Sequence, residues 1–153
     1  MASNFKEFTR EVSAAGRDIP AREIVRLQRQ ITLDAIRRIV ARTPEDAGET
    51  ASLWQVTIGA PAATAGPSGG DPIAGAAAAL AALGPFVVTF VSNPTPQAVV
   101  LEYGLFRPPN PGPSEDPRPG RKGRVLVQGG FSVQAPQGMV SVTVQELIGR
   151  YGR

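Results

Sequence analysis

Between Pro20 and Arg42 apolar residues return every three or four positions. Ile24, Leu27, Ile31, Ala35 and Ile39 form one stripe at about 100° per residue, which predicts an amphipathic helix with that stripe in the core. Pro20 suits a first helical turn and Pro44 a stop. A second line, Arg22, Arg26, Arg29, Leu33, Arg37 and Val40, mixes four arginines with two apolar residues. Its plain reading is a solvated face, with arginines paired to Glu23, Asp34 or a neighbouring element. Leu33 and Val40 add a second reading, a surface offered to a partner. A shorter helix is expected over residues 4–15, where Asn4 can cap with Glu7, Phe5, Phe8 and Val12 share a face, and Gly16 ends the run.

The pattern then changes period. Residues 53–59 alternate, with Trp54, Val56 and Ile58 on one side, as a half-buried strand requires. A Gly/Ala/Pro linker follows; no Lys-Ser/Thr pair comes after its glycines, which argues against a nucleotide loop. Asp71 and Pro72 read as N-cap and N1 of an Ala-rich helix ended by Gly84. Phe86 to Ser92 is the best strand in the chain, with Phe86, Val88 and Phe90 expected inward beside Trp54. After the turn at residues 92–97, the run from Ala98 to Gly104 fits either a strand or one to two helical turns. Residues 124–131 read as a strand. The C-terminal stretch mixes alternating valines with helical spacing at Met139, Val142, Thr143, Glu146 and Leu147, and the helix is favoured.

Composition sharpens this picture. The chain has 153 residues, 17 Gly, 15 Pro, no Cys and no His. Disulfides, thiolate and imidazole chemistry and the usual zinc ligands are excluded, and no cofactor is expected. The net charge of +3 sits in one segment. Residues 107–124 hold Arg107, Arg118, Arg121, Lys122 and Arg124 against Glu115 and Asp116, and the rest of the chain is balanced. Six prolines in those eighteen residues predict an extended arm over residues 105–130, inserted in a single domain covering residues 1–153. The first residues carry acids and no apolar core, so no signal peptide is expected and the chain is placed in the cytoplasm.

Candidate chemistry is sparse. Glu45, Asp46 and Glu49 crowd together, but an Asx turn at Asp46 explains them more simply than catalysis. Trp54 reads as a buried strand anchor. Glu102 and Tyr103 close a run of thirty residues, Pro72 to Leu101, without a charged side chain; an acid in that position needs a donor.

The order of short blocks is more specific than any one of them. An arginine-bearing helix leads to Pro44-x-Asp46-x-Gly48 and Trp54-Gln55-Val56. An Ala-rich helix, Val91-Ser92-Asn93, Leu101-Glu102-Tyr103-Gly104 and Gln134-Ala135-Pro136-x-Gly138-Met139-Val140 follow. Over residues 20–150 this resembles the neck or tail-completion proteins of tailed bacteriophages, the connector components of the head-tail junction. It departs from that pattern at Ala47 and Glu49, where the family commonly has Thr and a basic residue, and in the long stretch from Leu105 to Gly130.

The resemblance implies an α+β subunit, a small sheet flanked by helices with a long N-terminal helix, that has no enzymatic activity and works as a homo-oligomeric ring. Six copies are favoured and twelve are the runner-up. It implies assembly in the host cytoplasm into the virion, next to connector, tail-tube or tail-terminator proteins, with at most non-specific contact to DNA. Arg22, Arg26, Arg29, Leu33, Arg37, Val40, Glu102, Tyr103 and the five basic residues of the arm are the expected oligomer or partner surface. Two other readings compete: a basic nucleic-acid-binding protein, suggested by 14 Arg, and a small membrane-active protein using Pro72 to Ser92.

Overall fold

The computed structural model describes residues 20–44, 49–105, 127–128, 130–132 and 135–152. The expected helix over 4–15, the arm with Arg107, Arg118, Arg121, Lys122 and Arg124, and the acids Glu45 and Asp46 lie outside them. The fold is α+β, as expected.

Helix α1, Ala21–Arg42, forms where predicted, but its buried face is turned from the predicted stripe. Thr32, Ile36 and Ile39 are buried, while Ile24, Ile31 and Ala35 are half-buried and Leu27 is 50% exposed. The cause is that the core-facing side is partly polar and its polar groups are bonded. The Thr32 and Thr89 hydroxyls meet at 3.1 Å, and Arg29 donates to the carbonyls of Leu80 (2.8 Å) and Ala81 (2.9 Å). Leu33 and Val40 belong to this side too. They are half-buried and pack against the core, so within the subunit each already lends part of its surface to the interior.

A short helix α2, Glu49–Ser52, leads into strand β1, Gln55–Ile58. β1 pairs antiparallel with β2, Thr89–Ser92, in the register Gln55 to Ser92 and Ile58 to Thr89. Trp54 and Val56 are buried as predicted. The alternation expected for the second strand is off by one. Val87 and Val91 pack against the core, whereas Phe86 is 76% and Val88 60% exposed and Phe90 pairs with Thr57. The inward position between the two valines is Thr89, whose hydroxyl is satisfied by Thr32, so the inner face of β2 is less apolar than its outer one. The Trp54 indole N–H donates to the Thr43 hydroxyl at 2.9 Å, and that hydroxyl donates to the Ile39 carbonyl at 2.8 Å. This chain of bonds joins β1 to the end of α1 without an unpaired polar group.

Between the strands runs α3, Pro72–Ala81. Asp71 caps it, its carboxylate accepting from the amides of Ile73 (2.9 Å) and Ala74 (3.1 Å), and Pro72 stands in its first turn. Ala76, Leu80 and, just beyond, Leu83 fill the core beneath it. The helix ends before Gly84, at the carbonyls that Arg29 holds. Among the described residues no helix is long and apolar enough to cross a membrane.

Asn93 fixes the next turn. Its side-chain oxygen accepts from the Thr95 amide (3.2 Å) and hydroxyl (2.7 Å), and its nitrogen donates to the Thr50 carbonyl at 3.0 Å. Thr95 caps α4, Pro96–Tyr103, which resolves the strand-or-helix alternative. The strand expected over 124–131 is broken at Gly130 (φ 87°) into a hairpin of β3, Val127–Gln128, and β4, Phe131–Ser132. α5, Val140–Tyr151, is the predicted C-terminal helix and lies along α1. α1 is thus packed between the sheet and α3 on one side and α5 on the other.

Candidate functional site

Two of the sequence blocks meet in space. α4 ends at Gly104, which adopts the left-handed conformation (φ 63°). A Cβ there would lie 2.5 Å from the Phe131 ring, so both the turn and the packing require glycine. Two residues earlier, Glu102 turns toward the start of α5. Its carboxylate accepts from the amides of Met139 and Val140, both at 2.7 Å, from the Ser141 amide at 2.8 Å, and from the Ser141 hydroxyl. α5 has no side-chain cap of its own, and Glu102 takes that place from 37 or more residues away. Gly138 (φ 79°) makes the approach possible, because a Cβ there would stand 2.7 Å from the Glu102 carbonyl oxygen and 2.9 Å from its carboxylate. Burial opposes ionisation of Glu102. The bonds from Ser141, Val140 and Met139 outweigh it and hold the carboxyl below its ordinary value. The donor that the sequence demanded for this acid is therefore a helix N-terminus.

The opposite end of α5 is held by charge. Arg38 donates to Asp34 (3.0 Å) and Glu146 (2.5 Å), Arg42 donates to Glu146 (2.6 Å), and Arg150 (3.3 Å) and the Tyr151 hydroxyl (3.2 Å) reach Asp34. Burial works against the Asp34 charge, yet the bonds and charge of Arg38 with Tyr151 and Arg150 keep its carboxyl below the usual range. Arg38 does the same for Glu146 with help from Arg42. Of these residues the pattern gives Asp34 as an arginine partner and Glu146 as a helical position, but not their bonds to Arg38, Arg42, Arg150 and Tyr151. The signal available was the excess of arginine on α1 facing an acid on the C-terminal helix.

The remaining predicted residues divide into two groups. Arg22, Arg26 and Arg37 project into solvent, and Arg26 meets Glu23 only at 3.9 Å. Tyr103 is 67% exposed on α4, next to Val99 and Leu105, which are also exposed. Arg29, Leu33, Val40 and Glu102 are instead used inside the subunit. Three of the described carboxylates, Asp34, Glu102 and Glu146, are held ionised by their partners, an arrangement suited to fastening elements together and unsuited to carrying a proton back and forth. Among the described residues no group of three or more acids is placed to hold a metal ion. The chain matches no family model, no curated protein and no solved structure.

Proposed function

We propose that this chain is a structural subunit of the head-tail junction of a tailed bacteriophage, a neck or tail-completion component that acts as a closed homo-oligomeric ring and catalyses no reaction. Six copies are favoured and twelve are the alternative. Its neighbours in the virion would be connector proteins on one side and tail-tube or tail-terminator proteins on the other.

The observation that carries the reading is the junction of Leu101-Glu102-Tyr103-Gly104 with Ala135-Pro136-x-Gly138-Met139. These are the most specific blocks of the resemblance. A carboxylate on three amides, with two glycines where no Cβ fits, makes them one structural device and gives a physical reason for their occurring together. The exposed guanidinium groups of Arg22, Arg26 and Arg37, with exposed Tyr103, leave surface for neighbouring subunits.

Native mass measurement and negative-stain imaging of the purified protein test the proposal. Closed rings of one copy number are the expected result. A stable monomer that binds duplex DNA tightly, with an affinity falling steeply as salt rises, would replace it by the nucleic-acid-binding reading.

A further inference from the structure

The first half of α1 and the loop between α3 and β2 enclose a shallow groove of about 450 Å³, lined by Ala21, Arg22, Val25, Arg26, Arg29 and Pro85. Its walls are fixed from within. Gln28 donates to the Val87 carbonyl at 2.5 Å, and Arg29 binds the last carbonyls of α3, so the loop is fastened to α1 at two points. Arg22 and Arg26 are exposed at the rim; Glu23, 3.9 Å from Arg26 and itself well exposed, pairs with that guanidinium only loosely. Beside Pro85 stands Phe86, 76% exposed and at φ 60°. A bulky residue in that conformation is a backbone outlier, and such outliers gather at contact sites.

We propose that this groove receives an extended acidic segment of a partner polypeptide. Arg22 and Arg26 are four residues apart on α1, a rise of about 6 Å. Alternate side chains of an extended peptide are spaced by about 6.6 Å, so carboxylates at positions i and i+2 meet both guanidinium groups, each able to accept two bonds. The floor, Val25 and Pro85, and the exposed Phe86 take the apolar groups between. A DNA duplex fits the site less well. Duplex binding commonly draws on about six to ten phosphate contacts, whereas this groove offers two exposed cations over an apolar floor. The assignment concerns the chemistry of the occupant and stands whether or not the chain closes into a ring.

The test is fluorescence anisotropy on the full chain, with a labelled peptide carrying Glu at alternate positions and Thr or Val between them. Saturable binding is expected, weakened by salt between about 50 and 300 mM and by about tenfold in the double variant Arg22→Glu/Arg26→Glu. Arg37→Glu, on the same helix but outside the groove, leaves it unchanged. Urea midpoints equal to the parent's exclude misfolding of the variants, and Arg29 is left intact because it holds α3. Four results overturn the proposal: no binding by the parent chain, equal binding after charge reversal, tighter binding of a DNA duplex than of the peptide at the same salt, or binding that appears only when Glu7, Glu11 and Asp18 are changed to Ser. The last would give the groove to the chain's own first residues.

Discussion

Replacing Glu102 by Ala removes one side chain and leaves three amides and a hydroxyl to find new partners. Their surroundings set the cost. The Met139 residue is fully buried and Val140 half-buried, so their amides reach water poorly, whereas Ser141 is exposed and is rehydrated readily. Losing a charged acceptor costs about 1.5–3 kcal/mol per bond in a dry setting and less where water replaces it, and deleting a helix cap costs about 1 kcal/mol. Glu102→Ala is therefore expected to destabilise the subunit by about 2–4 kcal/mol. Glu102→Gln, which keeps an acceptor but loses the charge facing the helix N-terminus, is expected to cost about 1–2 kcal/mol.

Urea unfolding followed by the fluorescence of the single Trp, Trp54, at one fixed protein concentration reads both values. The pH dependence gives an independent check. Because the folded carboxyl lies below its ordinary value near 4.5, the stability it confers is fully present above that value and is lost as pH falls through the lowered folded one. The Gln variant, with nothing to titrate there, should lose less stability than the parent over that acid range. A Glu102→Ala protein within about 0.5 kcal/mol of the parent would refute the assignment of this residue as the cap of α5.

Gly104→Ala is expected to destabilise by about 1–3 kcal/mol, since φ 63° and the Phe131 ring both oppose a Cβ, while Gly149→Ala in open space on α5 should stabilise by about 0.5–1 kcal/mol; thermal melts of the pair separate the effects. Trp54→Ala should cost about 3–5 kcal/mol and usually unfold the domain, and Trp54→Phe about 1–2 kcal/mol, as calorimetry would record, because only the bond to Thr43 and part of the packing are lost. Leu33→Asp and Val40→Asp should lower the urea midpoint sharply, as core positions do, whereas Arg37→Glu should leave it within about 0.5 kcal/mol. Assembly lost by the aspartate variants at unchanged stability would return Leu33 and Val40 to the partner surface.

The elements were more legible than their faces. α1 announces itself by its period and its flanking prolines, and the Asp71-Pro72 start of α3 is local enough to read directly, whereas α5, uncapped by its own side chains, shows a helical spacing mixed with alternating valines. The buried side of α1 was hidden because Thr32 and Arg29 occupy it. Hydrophobic patterning counts such residues as surface, and only the partners Thr89, Leu80 and Ala81, more than fifty residues away, make them fit to bury. The same pair of threonines displaced the alternation of β2 by one position. For Glu102 the sequence showed that a donor was needed and not which one, since the amides that supply it arise only when α5 docks. The bonds from Arg38 and Arg42 to Glu146 likewise span more than a hundred residues, beyond the reach of any local pattern.

The glycine at the end of α4 has a consequence for how this chain can vary. A Cβ there would stand 2.5 Å from the ring of Phe131, so the two residues that flank the stretch 105–130 lie against each other. That contact is made by Gly104 and Phe131 themselves. Changing the length of a segment tethered in this way alters only its closure entropy, by about 0.6 kcal/mol for each doubling. Descendants of this chain could thus lengthen, shorten or rewrite those residues to suit a new neighbour while the α4–α5 knot stays as it is. The knot acts as a socket, and what is plugged into it is free to diverge.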